Sequence, residues 1–260
     1  AVESVKLSRE LMRHGAEVYV VMSPDAKKII HPYSLEFATG NPVVEEITGK
    51  IEHVSYAGEH SKKCDLILIA PSTANTISKI ASGIDDTPVT TVASTGFGRI
   101  PIIIVPAMHG SMYKNPLILE NIEKLKNHGV EFLTPKFEEN KAKLPDIEEI
   151  VFAVIKKLHV KDFEGKKVLV TAGTTIEKID DVRFISNKSS GLMGIKIAEE
   201  FEMRGANVTL ILGPTHLSSH VKTQKIETYE EMFNAVMSHA EVDIAIFAAA
   251  TSDFHVDNCA

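Results

Sequence analysis

Cysteine is scarce in this chain of 260 residues: there are two, Cys64 and Cys259, far apart in sequence. That excludes a disulfide framework and a zinc site of the usual spacing, and it suits a cytoplasmic setting. Long apolar runs are lacking too. None reaches the roughly 18–20 residues needed to cross a bilayer, and the start does not read as a signal peptide. Positive charge is in deficit, with 28 Lys and Arg against 35 Asp and Glu and a net charge of −7. A general nucleic-acid surface or a binder of anionic membranes is therefore not expected. There is no internal repeat and no low-complexity segment.

What is present is the mix of a soluble globular protein, 44% hydrophobic and 24% charged, long enough for two ordinary domains. Short apolar runs alternate with amphipathic stretches. EVYVVMS (17–23), CDLILIAP (64–71), TPVTTVAS (87–94) and PIIIVPA (101–107) read as buried strands. ESVKLSRELMRHG, DAKKIIH, NTISKIASG, ILENIEKLKNHG and IEEIVFAVIKKLH read as helices, with stops at Gly15 and Gly83. At KKLHVKDFEGKK (156–167) the apolar pattern gives way to charge, and a second series begins: KVLVTAG, a helix over 192–204, NVTLILGP (207–214), a helix over 229–240 and VDIAIFAAA (242–250). This predicts an α/β protein of two doubly wound, Rossmann-like parallel-sheet domains, 1–159 and 160–260. The chain starts within a helix and stops just after a strand, so structure is expected to be missing at both ends.

In open parallel sheets, ligands bind beyond the carboxyl ends of the strands. Ser23, PSTANT (71–76), PAMHGSM (106–112), TAGTT, ISNKSSGLMG (185–194) and AAATSDF all follow a strand end. In PSTANT, Ser72, Thr73 and Asn75 offer hydroxyls, an amide and free backbone N–H groups to an anion; plain N-capping accounts for the same residues. Met108 and Met112 read in isolation as core filler. In ISNKSSGLMG, serines and glycines at a helix N-terminus make either a capped loop or an anion site with Asn187 held over it.

Taken together, PSTANT and PAMHGSM resemble the PASANT and PAMNxxM motifs of the homo-oligomeric flavin-containing cysteine decarboxylases, and AVESVKL resembles the continuation of that family's GSIA segment. The resemblance covers roughly residues 1–135. It implies FMN held by Ser23, Ser72, Thr73, Asn75 and Met108, and a histidine base ahead of the PSTANT strand. His53 and His60 are the candidates, and HVSYA suits the family's helix start better, which favours His53. His109 stands where the family has a carboxylate-contacting asparagine, and is read with Met112 as substrate-binding; a histidine can still donate to a carboxylate. The family's flap cysteine, which returns a proton to the product, has no counterpart in LTPKFEENKAKLPD (133–146), where Lys141 or Lys143 is the substitute on offer.

Residues 166–254, with TAGTTIEKIDDVRFISN, SSGLMG and AAATSDF, resemble the phosphopantothenate–cysteine ligase half of the bifunctional coenzyme A biosynthesis family. The resemblance implies that Ser189, Ser190 and Gly191 hold activated 4′-phosphopantothenate, and that Asn187 acts catalytically by stabilising the acyl-nucleotidylate. It implies that Gly173, Ala249, Ala250 and Asp253 contact the nucleotide, CTP in many members, with Mg2+ on its phosphates. The substrates would be 4′-phosphopantothenate, cysteine and CTP, and the assembly a homo-oligomer with a trimeric decarboxylase core and a dimeric ligase. The ligase half of the family runs on beyond residue 260. Two rival readings stand: a non-catalytic flavin-binding regulatory subunit, and a two-domain nucleotide-binding protein without flavin.

Overall fold

The computed structural model describes residues 2–59, 64–239 and 241–254. His60 and Cys259 lie outside them. Contacts divide the chain into two compact units, 1–154 and 155–260.

The first unit runs α1 (Ser4–Arg13), α2 (Pro24–Lys27), α3 (Pro32–Thr39), α4 (Glu52–Ala57), β1 (Ile67–Ser72), α5 (Ala74–Ala81), α6 (Pro88–Gly96), β2 (Ile102–Pro106), β3 (Met108–His109), α7 (Gly110–Tyr113), α8 (Pro116–Asn127), β4 (Glu131–Phe132), β5 (Lys136–Glu138), β6 (Lys141–Lys143) and the first two turns of α9 (Ile147–Leu158), within which the division falls. Strands β1, β2 and β4 form a parallel sheet in that order. Strand β2 is buried on both faces, as a central parallel strand must be. Ile102 and Ile104 pack with Ile77 and Ile80 of α5 and Ile122 and Leu125 of α8. Ile103 and Val105, fully buried, fall on the opposite face by the strand's period of two. A second cluster joins Ala57 of α4, Val92 of α6 and Ile100.

Two expected strands are corrected. TPVTTVAS is the helix α6. Its β-branched residues suggest a strand, but Thr87, Pro88 and Thr90 make a helix start: Thr87 and Thr90 form a reciprocal capping box with Pro88 just inside. Thr91 and Thr95 satisfy their hydroxyls on carbonyls one turn back, at 2.9 and 2.7 Å. EVYVVMS forms no strand and, among the described residues, pairs through one parallel bridge, Val21 to Val44. Pro42 lacks the N–H to lengthen that ladder, and Pro24 already opens α2.

The second unit contains β7 (Lys167–Ala172), β8 (Ile176–Lys178), β9 (Phe184–Ser186), α10 (Leu192–Met203), β10 (Asn207–Leu212), β11 (Thr223–Lys225), α11 (Tyr229–Ser238) and β12 (Ile244–Phe247). The parallel sheet has the order β11-β10-β7-β12. Its residues alternate between two cores. Val168, Val170, Val208 and Leu210 meet Ile195 and Ala198 of α10; Leu169 and Ile211 meet Met232 and Ala235 of α11. Helices on both faces of a parallel sheet are the doubly wound arrangement. Truncating a fully buried residue such as Leu210 to alanine costs about 2–5 kcal/mol. The antiparallel hairpin β8–β9 leaves the end of β7 and returns to it. Among the described residues, no helix is long and apolar enough to cross a membrane.

Candidate functional site

In the first unit, β1 and β2 carry the two motif loops to adjacent positions. Ser72 pairs with Pro106 across the ladder, and the Ala107 N–H donates to the Ser72 carbonyl at 2.8 Å. Thr73 caps α5, accepting the Thr76 N–H at 3.4 Å, and Asn75 is exposed in the first turn. Ser72 itself is only 1% exposed, yet its Oγ has no hydrogen-bond partner. A buried hydroxyl left unpaired costs about 1–3 kcal/mol. A polar ligand lying at the start of α5 would recover it. Ser23 caps α2, accepting the Ala26 N–H at 3.2 Å.

His53 lies on α4, and its Nδ1 is likewise buried without a partner. The turn ahead of it is unusual. Ile51 has φ 51° and ψ 49°, a left-handed conformation that a β-branched residue rarely adopts. Glu52 holds the turn, its two carboxylate oxygens accepting the Thr48 N–H at 2.9 Å and the Thr48 hydroxyl at 2.5 Å. The hydroxyl bond, then the backbone bond, keeps the Glu52 carboxyl below its ordinary range.

Strand β3 pairs antiparallel with β6, setting Met108 opposite Ala142 and His109 opposite Lys141. The β5–β6 hairpin turns through Glu139 and Asn140, both at positive φ, as a tight two-residue hairpin requires. Its tip rests on the motif: the Gly110 N–H donates to the Asn140 carbonyl at 2.6 Å, and a Cβ at Gly110 would sit 2.5 Å from that oxygen. His109 Nδ1 accepts the Ser111 N–H at 3.4 Å and lies 2.9 Å from the Ser111 hydroxyl. A neutral ring accepting at Nδ1 carries its proton on Nε2 and presents a donor there. Met108, His109, Ala142, Lys141, Lys143 and Glu3 line an open pocket of about 520 Å³. Met112, on α7, is 47% exposed. Lys143 is held at 2.9 Å by Glu138, which raises its ammonium pKa.

In the second unit, three loops meet at the carboxyl end of β7. Hairpin β8–β9 sets Ser186 opposite Ile176, so that the Asn187 N–H reaches Thr174 Oγ1 at 3.1 Å. The Asn187 amide nitrogen then donates to the Ala250 and Thr251 carbonyls at 3.2 and 2.9 Å. Both amide hydrogens are thereby spent, and the opposite flip would set Oδ1 against two carbonyl oxygens. Donation to an acyl-nucleotidylate, the role expected for this amide, requires the latch to open. Ala249 N–H donates to Thr171 Oγ1 at 3.3 Å, Ala250 N–H to the Gly173 carbonyl at 2.9 Å and Ser252 N–H to Thr175 Oγ1 at 2.9 Å. The N–H groups of Ala249 and Ala250 are thus already spent within the protein. Asp253 is exposed at the end of this loop.

Gly191 caps α10 at φ 77°. Ser189 and Ser190 each accept, at 3.4 Å, the N–H two residues on, and the Thr215 hydroxyl donates to the Ser190 carbonyl at 2.8 Å. The helix start lies on the strand end. A Cβ at Gly194 would meet the Ala172 Cβ at 2.5 Å, which only glycine avoids. Gly173, at φ 85°, backs on to Gly213 of the β10 exit. The two hairpins, β5–β6 and β8–β9, were not foreseen. The polar EEN between short alternating runs, and DDV between IEKI and RFIS, were the available signals.

Family models match the chain in two parts: Flavoprotein over residues 1–159, and the DNA/pantothenate metabolism flavoprotein C-terminal domain over 163–260. The coenzyme A biosynthesis bifunctional protein CoaBC of Thermococcus kodakarensis is 62% identical over 99% of this chain and 65% of its own length. The CoaBC protein of Methanocaldococcus jannaschii is 47% identical over 99% of this chain and 64% of its own. This chain thus spans about two-thirds of the length of those relatives. Among solved structures, the peptidyl-cysteine decarboxylase EpiD is similar with a TM-score of 0.50 and 32% identity, over 58% of this chain and 88% of that one. With a flavoprotein model matching more than half of it and CoaBC proteins matching it nearly end to end, the chain belongs to the flavoprotein family, within its bifunctional coenzyme A biosynthesis group.

Proposed function

We propose that residues 1–159 form an FMN-dependent decarboxylase of 4′-phosphopantothenoylcysteine, and that residues 160–260 form the first part of a CTP-dependent phosphopantothenate–cysteine ligase. The observation that carries the first activity is the pair of buried, unpartnered polar atoms, Ser72 Oγ and His53 Nδ1, on the two segments the family uses for flavin and base. Atoms left unpaired in a folded interior fit a site that a polar group completes. Ser72, Thr73, Asn75, Ser23 and Met108 would hold FMN, which when bound supplies a two-electron acceptor and donor beside the substrate. His53 would take the proton of the substrate thiol, and His109, through Nε2–H, would hold the carboxylate that departs as carbon dioxide. Met112 would add apolar contact.

In the second part, Ser189, Ser190 and Gly191 would hold the activated 4′-phosphopantothenate at the start of α10, where partial positive charge favours an anion. Gly173, Ala249, Ala250 and Asp253 would border the nucleotide, with Asn187 holding their loop and reaching the acyl-nucleotidylate when it is released. Mg2+ would enter with CTP, bound chiefly by its phosphates. A homo-oligomer, trimeric about the flavin and dimeric through the ligase, goes with this reading; exposed Tyr33 and Phe37 on α3 leave apolar surface for such contacts. A second reading, a flavin-binding regulatory subunit without turnover, draws support from a β5–β6 hairpin that carries lysines and no cysteine.

Release of carbon dioxide from 4′-phosphopantothenoylcysteine by the flavin-loaded chain separates the two. His53→Asn should keep the flavin and lose turnover roughly 10²-fold or more. A chain that binds no FMN on reconstitution defeats the decarboxylase reading. A flavin-loaded wild type without turnover favours the regulatory one. The same loss in His60→Asn moves the base to that residue.

A further inference from the structure

We infer that Lys141 is a substrate-facing residue that forms, with His109, a two-point clamp selecting the carboxylate-bearing substrate over its decarboxylated product. The inference deepens the decarboxylase reading and rests on it. His109 and Lys141 are directly opposed on antiparallel strands, so their Cβ atoms lie about 4.5–5.5 Å apart on one face. The next pair, Met108 and Ala142, falls on the other face, and Ala142 is 3% exposed. Inward anchoring of Ala142 therefore turns Lys141 to the side that His109 occupies, at the pocket that Met108, Ala142 and Lys143 also border.

The two lysines of the hairpin are not equivalent. Lys143 is engaged by Glu138 at 2.9 Å and lies 3.8 Å from Glu139. Lys141 has a looser ion pair, 3.9 Å from Glu139, with both side chains more than half exposed. An exposed pair at that distance is worth little, so a ligand carboxylate can displace it. His109 offers one donor from Nε2, for the reason given by its Ser111 contacts, and an ammonium offers three. Glu3, also at the pocket, has Lys6 at 3.6 Å. The hairpin cannot drift from this register without breaking the Gly110–Asn140 bond. Loss of the carboxylate as carbon dioxide removes the group that both donors hold, so the clamp grips substrate and lets product go.

The test uses the flavin-loaded full chain and two unreactive ligands that differ only in the carboxylate: 4′-phosphopantothenoylserine and 4′-phosphopantothenoylethanolamine. Their dissociation constants are measured by titration calorimetry. Wild type should bind the serine compound more tightly. Lys141→Met should weaken that compound about 10-fold, the scale of one hydrogen bond to a charged group, and leave the ethanolamine compound within about twofold. Lys143→Met should leave the preference between the two ligands as in wild type, and Lys141→Arg should restore most of the preference. Equal losses for both ligands in Lys141→Met, no loss for either, or the selective loss in Lys143→Met instead would overturn the clamp. Equal wild-type affinity for the two overturns the clamp alone, whereas a wild type that binds neither overturns the decarboxylase reading and the clamp with it.

Discussion

Gly110 donates its N–H to the Asn140 carbonyl at 2.6 Å, and that one bond seats the tip of the β5–β6 hairpin on the PAMHGSM turn. There is no room for a side chain between them: a Cβ at Gly110 would stand 2.5 Å from the oxygen. Gly110→Ala should therefore push the hairpin off the motif at a cost of about 1–3 kcal/mol. The expected result is a lower melting temperature and a raised KM for the decarboxylase substrate, with flavin content unchanged. An unchanged KM would separate the hairpin from the substrate site.

Ser72→Ala removes a buried hydroxyl that the protein does not pair. The flavin-free chain should become more stable, by about 1 kcal/mol, because an unsatisfied polar atom is gone. The flavin should be held less tightly by the same change. Melting curves with and without FMN test both halves. If the substitution destabilises the flavin-free chain, Ser72 has a partner and its place in the cofactor site loses its support.

The Glu52 clasp on Thr48 predicts an acid dependence. A carboxyl held below its unfolded pKa, about 4.3, stabilises the fold at all pH values above that figure and loses this contribution as pH falls through the folded value. Glu52 is such a group, through its Thr48 bonds. Glu52→Gln should flatten the acid limb of the stability–pH curve and leave the region above about pH 6 parallel to wild type. An acid limb of unchanged slope would mean that the clasp is not formed in solution.

Asn187→Ala should free the 249–252 loop without unfolding the sheet, since it deletes the bonds to Ala250 and Thr251. Asn187→Asp should act more strongly, because a carboxylate would face two carbonyl oxygens. Hydrogen exchange at Ser252 should quicken by about 10-fold or more, the effect of losing roughly 1.4 kcal/mol of local stability, while exchange in the core of β7 stays slow. Decarboxylation should be untouched. Unchanged exchange at Ser252 would show that the latch does not hold the loop.

Gly194→Ala should destabilise the second unit by about 1–3 kcal/mol, since the added methyl would press on the Ala172 Cβ at 2.5 Å. Chemical denaturation followed in that unit checks it, and a neutral result would mean that α10 can shift without penalty.

Period and punctuation made much of the architecture legible. The helices at 4–13, 116–127, 147–158 and 192–203 follow their apolar spacing, and β2, β7 and β10 follow runs that are apolar on both faces. What escaped was decided by single residues or by distant partners. Thr87 and Pro88 turned a β-branched run into a helix. Pro42 reduced EVYVVMS to one bridge. The hairpins are three-residue strands whose pairing depends on where their partners lie, which local pattern does not encode. At the candidate sites the residue types were legible, whereas their commitments were not: nothing in ISNKSSG reveals that the Asn187 amide is spent on carbonyls more than sixty residues away.

The end of strand β7 and the turn that follows it, residues 171–175, supply nearly every fixture of the second site. Thr171, Gly173 and Thr175 moor the segment after β12, Thr174 moors Asn187, and Ala172 supports the start of α10. Three segments thus share a single mooring post. A ligand that ordered one of them would leave less freedom to the other two, without any large movement of the backbone.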